Sequence, residues 1–172
     1  MRLATLIASC ILALALVPAA AADDWQTFSD PTGLFSVSVP QAMSASNDTT
    51  KRSDGTEISV IVYDLNLGTN DELMVRIADF TGRNLDPDRA VEGAVNGMRN
   101  AGYALISSTP DNLDGHTGVN ATLTDNAGLR YTDRIFFIED HLFQALTVVP
   151  KDVTEDQTAT ALRFSQSLHF RR

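Results

Sequence analysis

His116, His141 and His169 are the residues of this chain best suited to proton transfer or metal ligation. No two of them stand at i, i+4 spacing, and neither H-x-H nor H-E-x-x-H occurs. A zinc site would need them to converge through the fold, with a carboxylate among them. Solvated histidines are the plainer expectation. The segment Asp111-Asn112-Leu113-Asp114-Gly115-His116 is rich in oxygen ligands and superficially suggests calcium. An EF-hand loop needs alternating ligands and a terminal Glu, and Thr122 occupies that place, so a turn between strands is expected. Asp125-Asn126-Ala127-Gly128 reads the same way. Ser167 lies near His169, but that spacing sets no triad geometry and no G-x-S-x-G is present. The carboxylate pairs Asp86/Asp88 and Glu155/Asp156 fall where helices should begin, and capping accounts for them. Gly93, Gly97, Gly115 and Gly118 form no phosphate loop, because no Lys and helix follow them as that motif requires. The sequence therefore nominates no catalytic, cofactor-binding or metal-binding residue, and no cofactor is expected.

Cys10 is the single cysteine. It lies in an N-terminal segment, residues 1–22, that has the anatomy of a secretory signal peptide. Arg2 gives a positive start, residues 3–17 are an apolar run, and Ala19 to Ala22 offer a small-residue cleavage site before Asp23. The run is shorter than the ~20 residues of a spanning helix. Two alternatives stand beside it, a retained anchor and a lipoprotein in which Cys10 becomes the mature N-terminus. Cleavage near Ala22 would leave residues 23–172 as one exported or periplasmic domain with no thiol, and so with no disulfide, thiolate metal site or cysteine nucleophile. Its stability must then come from an apolar core. The chain carries 13 Lys and Arg against 22 Asp and Glu, a formal charge of −9. That balance argues against nucleic acid, whose binding is driven by basic contacts to phosphate, and against adhesion to anionic lipid.

The elements come from periodicity. Residues 25–28 and 34–39 read as a hairpin around Ser29-Asp30-Pro31-Thr32-Gly33. In the second strand Phe35, Val37 and Val39 alternate with serines. Residues 44–56 and 66–72 are polar and read as loops. Residues 57–65 are apolar on both faces: Ile58, Val60 and Val62 point one way, Ile61, Tyr63 and Leu65 the other, so both faces must be covered. Residues 73–80 should pair with them. The same two-faced pattern returns over 129–138 and 142–149, a hairpin in which Phe136 and Phe137 should be buried on opposite faces. Weaker strands lie near 104–109 and 117–124. One helix is expected after Asp86-Pro87, with Ala90, Val91, Ala94, Val95, Met98 and Ala101 at helical spacing and Gly102 as its stop. Gly93 and Gly97, four apart, would let it approach the sheet closely. A second helix begins at Thr154 with a Thr154/Gln157 capping box and runs to about Ser167, burying Ala161, Leu162, Phe164 or Ser165, and Leu168. Hairpin connections and two-faced central strands together predict an α+β fold, an α/β/α sandwich with a central antiparallel sheet flanked by helices.

Three stretches carry a family resemblance. They are Trp25 and Phe28 followed by Gly33-Leu34-Phe35-Ser36-Val37-Ser38-Val39-Pro40, the late hairpin from Arg134 to Pro150, and the closing Phe164, Ser167, Leu168 and Phe170. In combination the chain resembles the PsbP-like superfamily, named for an extrinsic photosystem II protein, and within it the small exported bacterial proteins of the DcrB type. The resemblance covers essentially all of residues 23–172 and implies an antiparallel sheet sandwiched by helices. It implies an accessory, assembly or binding role and brings no catalytic residue. Lys51 and Lys151 are the only lysines, unlike the lysine-rich photosystem protein, so the resemblance carries the fold and not a photosynthetic role.

The leading functional expectation is a non-catalytic exported accessory or binding protein that recognises a protein or envelope partner through loops and a sheet edge. A second is a small-molecule or lipid carrier using a cleft between sheet and helix, which an aromatic-lined cleft would support. A third is a hydrolase-type enzyme with a site assembled from scattered Asp, His and Arg residues.

Overall fold

The computed structural model describes residues 25–51 and 55–171. The expected signal segment lies outside them. Ten strands and two helices follow in order: β1 (Gln26–Ser29), β2 (Phe35–Val39), β3 (Ser44–Lys51), β4 (Glu57–Gly68), β5 (Asp71–Asp79), α1 (Pro87–Asn100), β6 (Ala104–Leu113), β7 (His116–Thr124), β8 (Arg130–Ile138), β9 (His141–Val149), α2 (Glu155–Gln166) and β10 (His169–Phe170). The main sheet is antiparallel throughout, in the order β3-β4-β5-β9-β8-β7-β6. A small separate sheet has the order β1-β2-β10.

Each face of the main sheet takes one helix, as the two-faced strands require. On one face α2 and the small sheet close over Tyr63, Leu65, Leu73, Val75, Phe136 and Phe143, with Phe35, Phe164, Leu168 and Phe170 packed onto them. On the other, Val91 and Val95 of α1 bury Ala121, Leu123, Ile135 and Leu142. Phe136 and Phe137 do fall on opposite faces, but only Phe136 is fully buried. Phe137 is half-buried beside α1.

Local chemistry accounts for the connections. Asp30 is buried and holds the β1–β2 turn: its carboxylate accepts from the Thr32 and Leu34 amides and the Thr32 hydroxyl, and from the Tyr63 hydroxyl at 2.6 Å. Burial and that bond to a carboxylate push the Tyr63 phenol up to about 12. Glu139 and Asp140 both have positive φ, the signature of a two-residue hairpin turn matched to strand twist. The Asp86 carboxylate accepts from the Arg89 amide, capping α1, and Gly102 leaves that helix with φ +99°. Thr154 and Gln157 form a reciprocal capping box, and the Gln157 side chain also donates to buried Asp71, tying the start of α2 to β5.

Four expectations are corrected. The polar stretch expected as a loop over 44–56 contains β3, an edge strand paired with β4 over its whole length. All its side chains are exposed, so backbone pairing alone holds it and no apolar periodicity marks it. The loop expected over 66–72 shrinks to Thr69-Asn70, because β4 runs to Gly68 and β5 begins at Asp71. Leu162 of α2 is 54% exposed. Phe164 and Leu168 define the buried stripe, and two residues of helix turn Leu162 to the opposite side. Gly93 and Gly97 have open space where a Cβ would stand, so they do not serve a close helix–sheet approach.

Candidate functional site

Seven strands about 4.8 Å apart span about 29 Å, and one helix is about 10 Å wide. A single helix cannot cover such a face. Helix α1 lies on β7 and β8 and makes no comparable contact with β3, β4 or β5. The result is a cleft of about 410 Å³ between α1 and the sheet. Its floor is Ile58 and Val60 of β4, Arg76 and Ala78 of β5, and Leu142, Gln144 and Leu146 of β9. Its walls are Phe80, Tyr103 and Tyr131 with Ala94, Gly97 and Met98 of α1. Tyr103 and Tyr131 meet edge to face at 4.8 Å, and the Tyr131 hydroxyl donates to Asp125 at 3.0 Å. The aromatic wall is thereby fixed in place.

Under this apolar lining runs a short polar row. Arg76 and Gln144 are opposite each other in the β5–β9 ladder. Gln144 Nε2 donates to Asp133 Oδ2 on β8 at 2.6 Å. Asp133 is 0% exposed, and its Oδ1 has no hydrogen-bond partner among the described residues. Burial pushes its carboxyl up to about 7, against the opposing pull of the Gln144 hydrogen bond and the Arg76 charge. The guanidinium of Arg76 makes no hydrogen bond or ion pair with any described residue, and Arg76 is the only charged residue among the described residues lining the cleft.

The raised carboxyl fixes a sign. The native state holds a proton that the unfolded chain releases near its ordinary value of 3.8, so stability should fall as pH rises from about 4 to about 7 and level off above. Asp133→Asn keeps a neutral side chain of the same shape. Its urea midpoint should gain on that of the parent between about pH 5 and about pH 8. Parallel midpoints for the two proteins would show that Asp133 does not titrate in this window.

The residues singled out in the sequence lie elsewhere. His116 stacks edge-on against Phe170, and His169 stands 3.5 Å from Asp114, so these two share one end of the sheet. His141 bonds the Glu139 carbonyl and faces Asp79 at 3.9 Å. Among the described residues no three His, Cys, Asp or Glu are grouped to hold a metal. The turn expected over 111–116 narrows to Asp114-Gly115, and Asp111 lies within β6. Asp114 accepts from the Phe170 amide at 2.8 Å and so anchors β10. Asp125 accepts from the Ala127 and Leu129 amides within its own turn. Ser167 caps α2 by donating to the Phe164 carbonyl, and accepts from the Ser38 amide. These are structural roles. Sequence reasoning missed Arg76, Asp133 and Gln144. One signal was available: period-two alternation puts Asp133 on the same strand face as Ile135 and Phe137, where a carboxylate is out of place.

No family model matches the chain, and no curated protein does. Among solved structures it is similar to the solution structure of cyanobacterial PsbP (CyanoP) from Synechocystis sp. PCC 6803. That similarity has a TM-score of 0.56 at 14% identity and covers 96% of this chain and 99% of that one. At such identity the likeness is one of fold, and it agrees with the antiparallel sheet and its two flanking helices: the fold of this chain is PsbP-like.

Proposed function

We propose that this chain is an exported, non-catalytic accessory protein that acts by binding, and that the α1–sheet cleft holds a small, largely apolar ligand. The observation that carries the reading is the cleft itself. It has the volume usual for small-molecule sites, an apolar and aromatic lining, and few polar groups converging at its base. The PsbP-like fold is compatible with a non-catalytic accessory role. Gly97 offers the test, because its Cβ position is open and it lines the cleft. The neutral dye N-phenyl-1-naphthylamine should bind the parent protein saturably at one site. Gly97→Leu fills the cleft while improving helix propensity, so it should weaken dye binding about tenfold or more without lowering the melting temperature. Equal binding by both proteins would move the site elsewhere. Export rests on the make-up of residues 1–22. Intact mass of the protein recovered from the cell envelope should correspond to a chain starting within about two residues of Asp23. A chain beginning at lipidated Cys10, or an uncleaved one, would overturn it.

A second reading, recognition of a protein or envelope partner, has its own observation. Edge strand β6 carries a bulge between Leu105 and Ser107, and the extra residue, Ile106, is 57% exposed beside Leu105. The bulge and Pro110 blunt this edge against strand addition, so the exposed Leu105 and Ile106 suit an apolar side-chain contact with a partner.

A further inference from the structure

We infer that the ligand of the cleft is a single-chain amphiphile with a monoanionic head, of the fatty-acid type, its head on Arg76 and its chain along Ala78, Val60, Ile58 and Phe80. This rests on the α1–sheet cleft being a ligand site. Arg76 is a donor group without an acceptor among the described residues. Arg76 is half-buried among apolar residues, and its guanidinium makes no hydrogen bond or ion pair with a described residue. A partly desolvated guanidinium without a hydrogen-bonded partner is costly, and the planar fork suits a carboxylate or another oxyanion bidentately. One unpaired positive charge calls for one negative charge. The rest of the lining is apolar or aromatic apart from Thr50, Gln144 and the tyrosine hydroxyls, which calls for a hydrocarbon body.

Asp133 gives the site a second property. It is the one carboxylate in this row, and it competes with an incoming anion for the field of Arg76. From β9 it faces Leu146, its partner in that ladder, and Gln144, which donates to it; from its own strand it faces Tyr131 and Ile135, and from β7 Ala121, its partner in the other ladder. Helix α1 packs Val91, Ala94, Val95 and Met98 on this side of the sheet, and the α1 residues that line the cleft, Ala94, Gly97 and Met98, carry no charge. Arg76 is therefore the one charge set against Asp133. An anion bound at Arg76 favours the neutral form of Asp133, so uptake of the ligand should carry a proton from solvent onto that carboxyl, and binding should tighten as pH falls.

Displacement of N-phenyl-1-naphthylamine reads this out. Decanoate should displace the dye at concentrations about tenfold or more below those of decan-1-ol. Arg76→Gln should bring decanoate to the level of the alcohol and leave the alcohol unchanged. The comparison of the two ligands on the parent protein stands even if that variant does not fold. Decanesulfonate, whose head does not titrate in this range, should bind the parent about tenfold more tightly near pH 6 than near pH 8, and Asp133→Asn about equally at both. Equal displacement by acid and alcohol would overturn the head-group assignment while leaving the cleft a ligand site. A dye that does not bind at all would overturn the cleft reading itself. A flat pH profile for decanesulfonate on the parent protein would remove Asp133 from the site.

Discussion

Gly118→Ala is expected to destabilise this protein by about 3 kcal/mol or more, a large share of the ~5–15 kcal/mol that holds a domain together. Gly118 of β7 is paired with Phe136 of β8. A Cβ at that position would overlap the Ile135 carbonyl oxygen and come within 2.5 Å of the Phe136 ring. Neither neighbour can yield easily. The carbonyl belongs to a central strand, and the ring is fully buried, packed edge-on against Phe170 at 5.2 Å. The requirement is one of space rather than of backbone conformation, since Gly118 does not have a positive φ. The added methyl must displace the ring, the strand or both, at the centre of the larger core. A thermal melt should show a loss of about 10 °C for a domain of this size. A variant within about 0.5 kcal/mol of the parent would mean that the β7–β8 pair relaxes far more readily than close packing allows.

Arg134→Ala should cost about 3 kcal/mol, the next largest effect. Arg134 Nε and Nη2 meet the two oxygens of Asp111 at 2.6 and 3.0 Å, and Nη1 donates to the Ser165 carbonyl at 2.7 Å. The pair is 11% and 15% exposed, so water replaces little of what is lost. One guanidinium thus joins β6 to the end of α2, with its Cζ 5.5 Å from the centroid of the Phe136 ring. Truncation leaves the Asp111 carboxylate and the Ser165 carbonyl without their donor in a poorly hydrated place. Arg134→Met keeps the apolar stem, and its difference from Ala separates lost packing from lost pairing. In a double-mutant cycle with Asp111→Ala the coupling should exceed 1 kcal/mol, above the ~0.2–1 kcal/mol of an exposed pair. Amide exchange in β6 should quicken with it. A coupling near zero would reduce the bridge to a surface contact.

Gly118 and Arg134 stand on strands that the sequence announced, whereas Asp111 stands in a stretch it read as a turn. The two-faced strands at 57–65, 129–138 and 142–149, the Asp86-Pro87 start of α1 and the Thr154/Gln157 box of α2 all stand where local chemistry put them. These signals are local: alternation, capping and turn residues act within a few positions of one another. Strand β3 was illegible because Ser44 to Lys51 bury nothing, and a strand held only by its partner's backbone leaves no pattern in its own side chains. The partition of the strands was illegible too. Phe35, Val37 and Val39 show that one face of β2 is buried, but not that β2 joins a second sheet with β10 and lies over the first.

The sequence by itself determined the element types, the antiparallel hairpins, the need for cover on both sheet faces and so the layered architecture. These follow from periodicity and from the burial it demands. The tertiary structure alone decided where cover is incomplete. The cleft exists because one helix spans too little of seven strands, and Arg76, Gln144 and Asp133 become a row because β5, β9 and β8 are neighbours in register. Those three residues are far apart in the chain, and no local signal links an arginine on one strand to a carboxylate on another. Proximity of that kind is set by strand order, which is fixed only when the whole core closes.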